Sequence, residues 1–167
     1  MSGLKVTRQV VCWFRVKDSA RFEDFQPARF PVFVWQVPAA QISYGFPALG
    51  GPGDGVKIST EQYDVAVDPE KVERTVSPAE QSALYEEYVE SYFPGLGSDC
   101  VRSDVCLYTS VPGSRFVIDR HPAYARVIIV SPCSGHGFKH SAAIGESLAQ
   151  MALGEPHLDL SEFRFRP

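Results

Sequence analysis

A glycine-rich segment near the end of the chain is the first candidate for chemistry. Gly135 and Gly137 follow a predicted strand and precede a predicted helix. Glycines in that place let backbone N–H groups approach an acceptor, and the helix N-terminus favours negative charge. A dinucleotide-binding fingerprint needs a third glycine where this sequence has His140. Spacing alone therefore favours a tight structural turn, and the earlier loop Gly51–Gly55 fails the same fingerprint at Val56.

The cysteines offer thiol chemistry and do not indicate a metal site or a disulfide framework. No two of them form a C-x-x-C pair, and their spacing fits neither a zinc site nor a disulfide-dense secreted scaffold. The start of the chain, Met1–Val6, lacks a long apolar core before a small-residue cleavage site, so we expect no secretory signal. We predict free thiols, no metal site and a cytoplasmic location. The cysteines are Cys12, Cys100, Cys106 and Cys133.

Composition restricts the class of protein. The chain has 167 residues, of which 44% are hydrophobic and 22% are charged, and its formal net charge is -4. These values exclude an intrinsically disordered or collagen-like chain. The net negative charge argues against a dedicated nucleic-acid-binding protein. No apolar run approaches the length that a transmembrane helix needs, so we expect no membrane span.

Strands outnumber helices in the predicted secondary structure. A helix is predicted over 78–93, because Ser77 can cap it, Pro78 takes the first helical position and Glu80 completes a capping box. A second helix is predicted over 141–153, and 38–40 is the expected hairpin connection. The pattern predicts an α+β fold with a largely antiparallel or mixed sheet. The predicted strands are 8–16, 30–37, 41–46, 56–59, 104–109, 116–119 and 126–130.

Three groups of motifs carry a family resemblance that spans nearly the whole chain. The motifs are Tyr44-Gly45-Phe46-Pro47 followed by Val56-Lys57, Cys106-Leu107-Tyr108-Thr109 followed by Ile118-Asp119-Arg120-His121-Pro122, and Ser134-Gly135-His136-Gly137-Phe138-Lys139. In this order and spacing, the sequence resembles the C-terminal part of monomeric sarcosine oxidase and its N-methyltryptophan oxidase relatives, within the D-amino-acid-oxidase-like superfamily. The resemblance implies an FAD-dependent amine oxidase that oxidises the C–N bond of an N-methyl amino acid with O2 and produces H2O2.

The resemblance implies a role for each matching residue. Cys106 matches the cysteine that is bonded to the flavin 8α carbon, and a thiolate is the nucleophile that such a bond requires. Tyr108, two residues further along the strand, matches a tyrosine of the active site. Lys57 matches the lysine that activates oxygen, since a fixed cation stabilises developing negative charge. Lys139 matches the lysine that binds the substrate carboxylate, and Tyr44 matches a tyrosine lining the substrate cavity.

The last motif and one departure complete the predicted site. The backbone of Gly135, His136, Gly137 and Phe138 is expected to face the pyrimidine edge of the flavin. Glu61 stands where the family carries an active-site histidine, if the glycine loop has two extra residues. A carboxylate there repels an amino-acid carboxylate and attracts a cationic group, so it points either to a different amine substrate or to a loop that turns elsewhere.

The resemblance also implies a domain organisation. Residues 1–124 are expected to form the substrate-binding domain and residues 125–167 a flavin-contacting strand, turn and helix. The family's N-terminal Rossmann half has no counterpart, so we expect the chain alone to hold no FAD and to be inactive. An exposed apolar face of helix 141–153, including Ile144 and Leu148, then predicts a homodimer. Two alternatives stay open: a non-catalytic α+β fragment, and a subunit that needs a separate FAD-binding chain.

Overall fold

The computed structural model describes residues 3–37 and 41–165, and it contains more strand than helix. The predicted connection at 38–40 lies outside the described residues. Short 3₁₀ helices occupy Ser19–Phe25, Pro112–Ser114, Phe138–His140 and Ser161–Phe163. The longer elements are β1 (Lys5–Val16), β2 (Phe33–Val37), β3 (Gln41–Phe46), β4 (Val56–Thr60), α1 (Pro78–Tyr88), β5 (Leu96–Ser110), β6 (Val117–His121), β7 (Tyr124–Ser131) and α2 (Ser141–Leu153).

Five of the strands form one sheet in the order β2-β3-β4-β1-β5. The pairs β2–β3, β3–β4 and β4–β1 are antiparallel. Lys57 is central in this register, because its Cα is opposite Trp13 on one side and Phe46 on the other. Successive side chains of a strand point to opposite faces, so these three residues share one face of the sheet.

The other face of the sheet carries the core of the first compact unit, residues 8–107. Cys12, Phe14 and Ile58 are completely buried there and pack with residues of α1, including Leu84 and Tyr85. Tyr85 and Tyr88 are also buried in this core, and Tyr92 packs against it, so these three tyrosines are packing residues.

The start of α1 is as predicted, but its end is not. Ser77 accepts a hydrogen bond from the Glu80 backbone N–H, and the Glu80 side chain accepts one from the Ser77 backbone, which completes the capping box. The helix ends at Tyr88, five residues before the predicted end at 93. The Glu90 N–H bonds to the Tyr85 carbonyl, five residues back, and this wider turn leaves Val89 fully buried in the core.

The second compact unit comprises the described part of residues 1–7 and 108–167. Strands β6 and β7 pair in it as an antiparallel two-stranded sheet. Helix α2 has the predicted bounds, but the predicted exposure of its apolar face is wrong. Ile144 is only 8% exposed in a cluster with Phe116, Ile118 and Leu160, and Leu148 packs against that cluster. The unit therefore covers this helix face with its own residues.

Several strand boundaries differ from the predicted ones by one or more residues, and two of these differences have clear physical reasons. Strand β2 begins at Phe33 and not at 30, because the Phe30 N–H bonds back to Gln26 in a turn and Pro31 has no N–H to give. Strand β5 begins at Leu96 and not at 104. Its first half is polar, and Asp99 pairs with Arg15 of β1 at 2.6 Å, so its sequence lacks the apolar alternation of a strand.

The described residues contain neither a membrane-spanning helix nor a metal-binding cluster of side chains. Over residues 3–37 and 41–165, no helix has the length and apolar character that a bilayer crossing requires. The same residues contain no group of three or more His, Cys, Asp or Glu side chains that could hold a metal ion.

Candidate functional site

The sheet face opposite the core carries several of the predicted site residues. Ser43 and Gly45 of β3 are buried, and Tyr44 lies between them on the other face of the sheet, where it is half-buried. In the pairing of β3 with β4, the partner of Tyr44 is Ser59. Lys57 of β4 is half-buried on the same face. Strand alternation and the register of β3 with β4 thus bring Tyr44 and Lys57 to one surface.

The ammonium group of Lys57 lies against aromatic rings. Its Nζ is 5.0 Å from the centre of the Phe46 ring and 5.6 Å from the centre of the Trp13 ring. Among the described residues, Lys57 makes no ion pair and no hydrogen bond through its side chain. The three residues line an open cavity of about 510 Å³ together with Leu49, Asp54 and Arg102. The cavity therefore contains a positive charge that no carboxylate neutralises by direct contact.

Trp13 and Arg102 are members of this site that sequence reasoning missed. The Arg102 guanidinium lies 4.5 Å from the centre of the Trp13 ring, and its Nη2 is 2.5 Å from Asp104 Oδ2. Trp13 was predicted only as part of an apolar strand. Alternation places it on the face opposite Cys12 and Phe14, but its neighbours come from residues 33 or more positions away, and no local pattern contains them.

Glu61 directly follows β4 and is half-buried. The backbone of the next residue is held by Gln9, a fully buried side chain of β1. Gln9 Nε2 donates to the Gln62 carbonyl at 2.6 Å, and the Gln62 N–H donates to Gln9 Oε1 at 2.8 Å. These two hydrogen bonds with a β1 side chain hold the backbone next to Glu61 in place. The sequence did not predict them.

Cys106 is an exposed thiol on β5, and it differs from the buried Cys12. Val105, its neighbour in the strand, packs against the core, so Cys106 points to the opposite face of the sheet, the face of Lys57. Burial raises the pKa of the Cys12 thiol strongly, and the adjacent Cys100 raises it further. Cys12 is thus an inert core residue, whereas Cys106 is open to a reactant.

The second unit contains the predicted glycine turn, and its geometry requires the glycines. Gly135 has a φ of +79°, and a Cβ on it would be 2.6 Å from Cε2 of the buried Tyr108. Gly137 has no room either, because a Cβ would be 1.4 Å from the Pro132 carbonyl oxygen. The turn is docked to the end of β5 through a hydrogen bond from the Ser134 N–H to the Thr109 carbonyl, 2.9 Å long.

The residues after Gly135 differ in their exposure. His136 is fixed, because its Nε2 is 2.7 Å from the Ser114 carbonyl and its ring stacks on Phe116 with centres 4.8 Å apart. Phe138 is 93% exposed, which leaves its ring open to a partner. Lys139 is exposed in the 3₁₀ turn immediately before α2, as the sequence predicted. The turn thus presents backbone, an aromatic ring and an ammonium group to solvent.

The predicted residues therefore fall into two sets. Tyr44, Lys57, Glu61 and Cys106 belong to the unit of residues 8–107, whereas Tyr108, the glycine turn and Lys139 belong to the other unit. Within the first set, Lys57 shares a sheet face with Tyr44 and Cys106. Within the second set, Tyr108 packs directly on Gly135.

Comparisons with known proteins agree with this architecture. Monomeric sarcosine oxidase from Bacillus sp. (strain NS-129) is 39% identical over 162 residues, which are 96% of this chain and 40% of the relative. N-methyl-L-tryptophan oxidase from Salmonella typhi is 32% identical over 159 residues, 94% of this chain and 41% of that protein. The chain thus spans about two fifths of the length of the curated relatives that it matches.

Solved structures share the fold. The amino acid oxidase NikD, described as essential for nikkomycin biosynthesis, aligns with a TM-score of 0.68 and 16% identity over 97% of this chain and 42% of its own. Amadoriase I from Aspergillus fumigatus, a fructosyl amine: oxygen oxidoreductase, aligns with a TM-score of 0.69 and 15% identity over 99% of this chain and 38% of its own. The family model described as FAD dependent oxidoreductase matches residues 12–151. Since that match covers most of the chain, this protein belongs to the FAD dependent oxidoreductase family.

Proposed function

We propose that the chain is the C-terminal, substrate-binding portion of a sarcosine oxidase-like enzyme that oxidises an N-methyl amino acid with O2. Two electrons and two protons leave the amine, which becomes an imine, and O2 accepts them to become H2O2. The names of the curated relatives support this reaction class. The single observation that carries the proposal is Lys57, an ammonium group against two aromatic rings in an open cavity, without a carboxylate partner among the described residues.

The residues of the site fit a flavin by their chemistry. Cys106 offers an exposed thiol on the face of the sheet that carries Lys57. Gly135 is only partly buried, and its N–H forms no hydrogen bond with the described residues, so it is available to an acceptor atom of a flavin. When bound, FAD supplies the electron acceptor for the amine and the electron donor for O2.

Each side chain has a separate task in this proposal. Cys106 would hold the cofactor through its sulfur. A C–S bond to the flavin 8α carbon would replace the S–H bond and one C–H bond of the flavin methyl, and the two electrons and two protons released would pass through the flavin to O2, which becomes H2O2. Lys57 stabilises negative charge that develops during the reaction of O2, because a fixed ammonium group lowers the energy of a nearby anion. Tyr44 contacts the substrate in this proposal. Tyr108 takes the role of the matching active-site tyrosine, and its contact with Gly135 restricts the position of its ring.

Lys139 binds the carboxylate of the substrate in this proposal. It is exposed, and it precedes α2, whose N-terminus also favours an anion. Glu61 influences which amine is accepted, because its half-buried carboxylate favours a cationic group on the substrate. The proposed domain division, with residues 1–124 for the substrate and residues 125–167 for the flavin, stays a prediction alongside these roles, as does a separate FAD-binding chain. A homodimer also stays a prediction, but the face of α2 from which it was predicted does not support it, because Ile144 is buried.

The test compares Lys57→Met with Lys71→Met in the FAD-loaded protein that contains this chain, below called the holoprotein. Lys71 is a matched control, since its side chain is 84% exposed and, among the residues described, forms an ion pair with Asp68 alone. Stopped-flow absorbance measures flavin reduction by the amine without oxygen and then reoxidation by O2. We expect Lys57→Met to slow reoxidation by roughly 100-fold or more and to change reduction much less. Equal reoxidation rates in the two variants would show that Lys57 takes no part in the reaction of O2. If the purified protein that contains this chain binds no FAD, that result would favour the non-catalytic alternative.

A further inference from the structure

Trp13 and Phe46 flank Lys57 because the sheet register requires it. Both residues are the cross-strand partners of Lys57, one on β1 and the other on β3. Directly opposite side chains of neighbouring strands are close enough to interact. The Lys57 Nζ is within 6 Å of both ring centres, which is the range of cation–π attraction, and tryptophan is the ring that attracts a cation most strongly.

Arg102 fixes the tryptophan. Its guanidinium stacks on the Trp13 ring at 4.5 Å, and its Nε and Nη2 both donate to Asp104 Oδ2, at 3.0 and 2.5 Å. The side chain of Asp104 is therefore engaged by Arg102, and Lys57 forms no ion pair with any residue that the structure describes. Arg102 of β5 therefore restrains the Trp13 ring. The same ring restrains the ammonium group of Lys57 on β4.

We propose that Trp13 is a positioning residue for Lys57, an inference that rests on the proposed role of Lys57 in the reaction of O2. A carboxylate would also hold the ammonium group, but it would cancel the charge that the reaction needs. An aromatic ring attracts the cation through its quadrupole and brings no net negative charge. Trp13 therefore restricts the Lys57 side chain to the cavity while the whole positive charge stays available to an anion.

The experiment uses the chain's other tryptophan as the control. Trp35 lies on β2, 46% exposed, and packs on Tyr92 and Phe93, away from Lys57. Reoxidation by O2 and anaerobic reduction are measured for Trp13→Leu, Trp13→Phe and Trp35→Leu holoproteins. In the same proteins, NMR of ¹³C-lysine records the Lys57 Hε protons, identified by their loss in Lys57→Arg. Aromatic ring currents shift protons above a ring face upfield, so this readout reports the contact independently of activity.

We expect Trp13→Leu to slow reoxidation by about 2- to 30-fold, the range that corresponds to loss of one cation–π contact. Reduction by the amine should be unchanged, Trp13→Phe should retain most of the rate, and Trp35→Leu should behave as the unmodified protein. The Lys57 Hε protons should be upfield in the unmodified protein and move downfield in Trp13→Leu.

Two results would overturn the positioning role. One is an equal reoxidation rate in Trp13→Leu and Trp35→Leu while Lys57→Met is slow. The other is a Lys57 Hε shift that matches an exposed lysine in the unmodified protein. If Lys57→Met itself reoxidises normally, the proposed function of Lys57 fails instead, and the NMR readout shows in the same samples whether the contact with Trp13 exists.

Discussion

Replacement of Gly135 by alanine should destabilise the second unit through two separate effects. The first is backbone strain, because Gly135 has a φ of +79°, where an L-residue with a Cβ costs roughly 1–2 kcal/mol. The second is overlap, because the new Cβ would be 2.6, 2.9 and 3.0 Å from three ring atoms of Tyr108. Tyr108 is only 9% exposed and has little room to move, so overpacking adds about 1–3 kcal/mol. The expected loss of unfolding free energy is therefore about 2–5 kcal/mol.

Gly145→Ala is the matched control, because a Cβ there meets nothing within 4 Å and the residue lies inside α2. This variant should gain up to about 1 kcal/mol, since alanine favours a helix more than glycine does. Urea unfolding, followed by circular dichroism, gives both values.

Removal of the ring in Tyr108→Ala should relieve the overlap, so Gly135→Ala should cost only about 1–2 kcal/mol in that background. If Gly135→Ala is as stable as the unmodified protein, or costs the same with and without the ring, the described packing of the turn is wrong.

Three further predictions concern other parts of the chain. Gly137→Ala should disrupt the turn more severely than Gly135→Ala, because its Cβ would overlap the Pro132 carbonyl, a backbone atom, and the urea midpoint measures this. Lys139→Met should weaken the binding of a simple carboxylate inhibitor to the holoprotein by roughly 1.5–3 kcal/mol, and unchanged affinity in a titration would exclude it from the substrate site. Burial raises the pKa of Glu80, but hydrogen bonds from Arg8 and Ser77 outweigh it and leave the pKa below its usual value. The stability that Glu80 contributes should therefore be present above pH 4.3, roughly the unfolded value, and disappear as pH falls through the lower folded value. The stability difference between the unmodified protein and Glu80→Gln should shrink over that range, and a constant difference would contradict this.

Local patterns predicted much of the fold. The sequence Ser77-Pro78-x-Glu80 contains every group of the capping box, so the start of α1 could be placed to the residue. The end of α1 could not, because it depends on the burial of Val89 in a core that several elements build. The first half of β5 was missed for a related reason. Its polar residue Asp99 forms an ion pair with Arg15 of β1, and such a contact produces no apolar alternation in the sequence.

Individual site residues were easier to find than their surroundings. The family resemblance identified Lys57, Cys106 and Lys139 as site residues, because each lies in a motif that matches the family. The setting of Lys57 depends on a register that joins it to Trp13, 44 positions earlier, and on an arginine of β5. Strand alternation predicts which face each residue takes, but it does not predict which strands become neighbours. The contacts of Lys57 across the sheet are therefore known only from the three-dimensional structure.

The most direct test of the proposed function is whether Cys106 carries the flavin. The holoprotein is denatured in acid and digested, and mass spectrometry identifies any peptide that retains the cofactor. Our account predicts that the flavin stays with the peptide containing Cys106 and that Cys106→Ser releases it, whereas the buried Cys12→Ser leaves the attachment intact. Flavin found entirely in the acid supernatant of the unmodified protein, or attached to a different residue, would contradict the account.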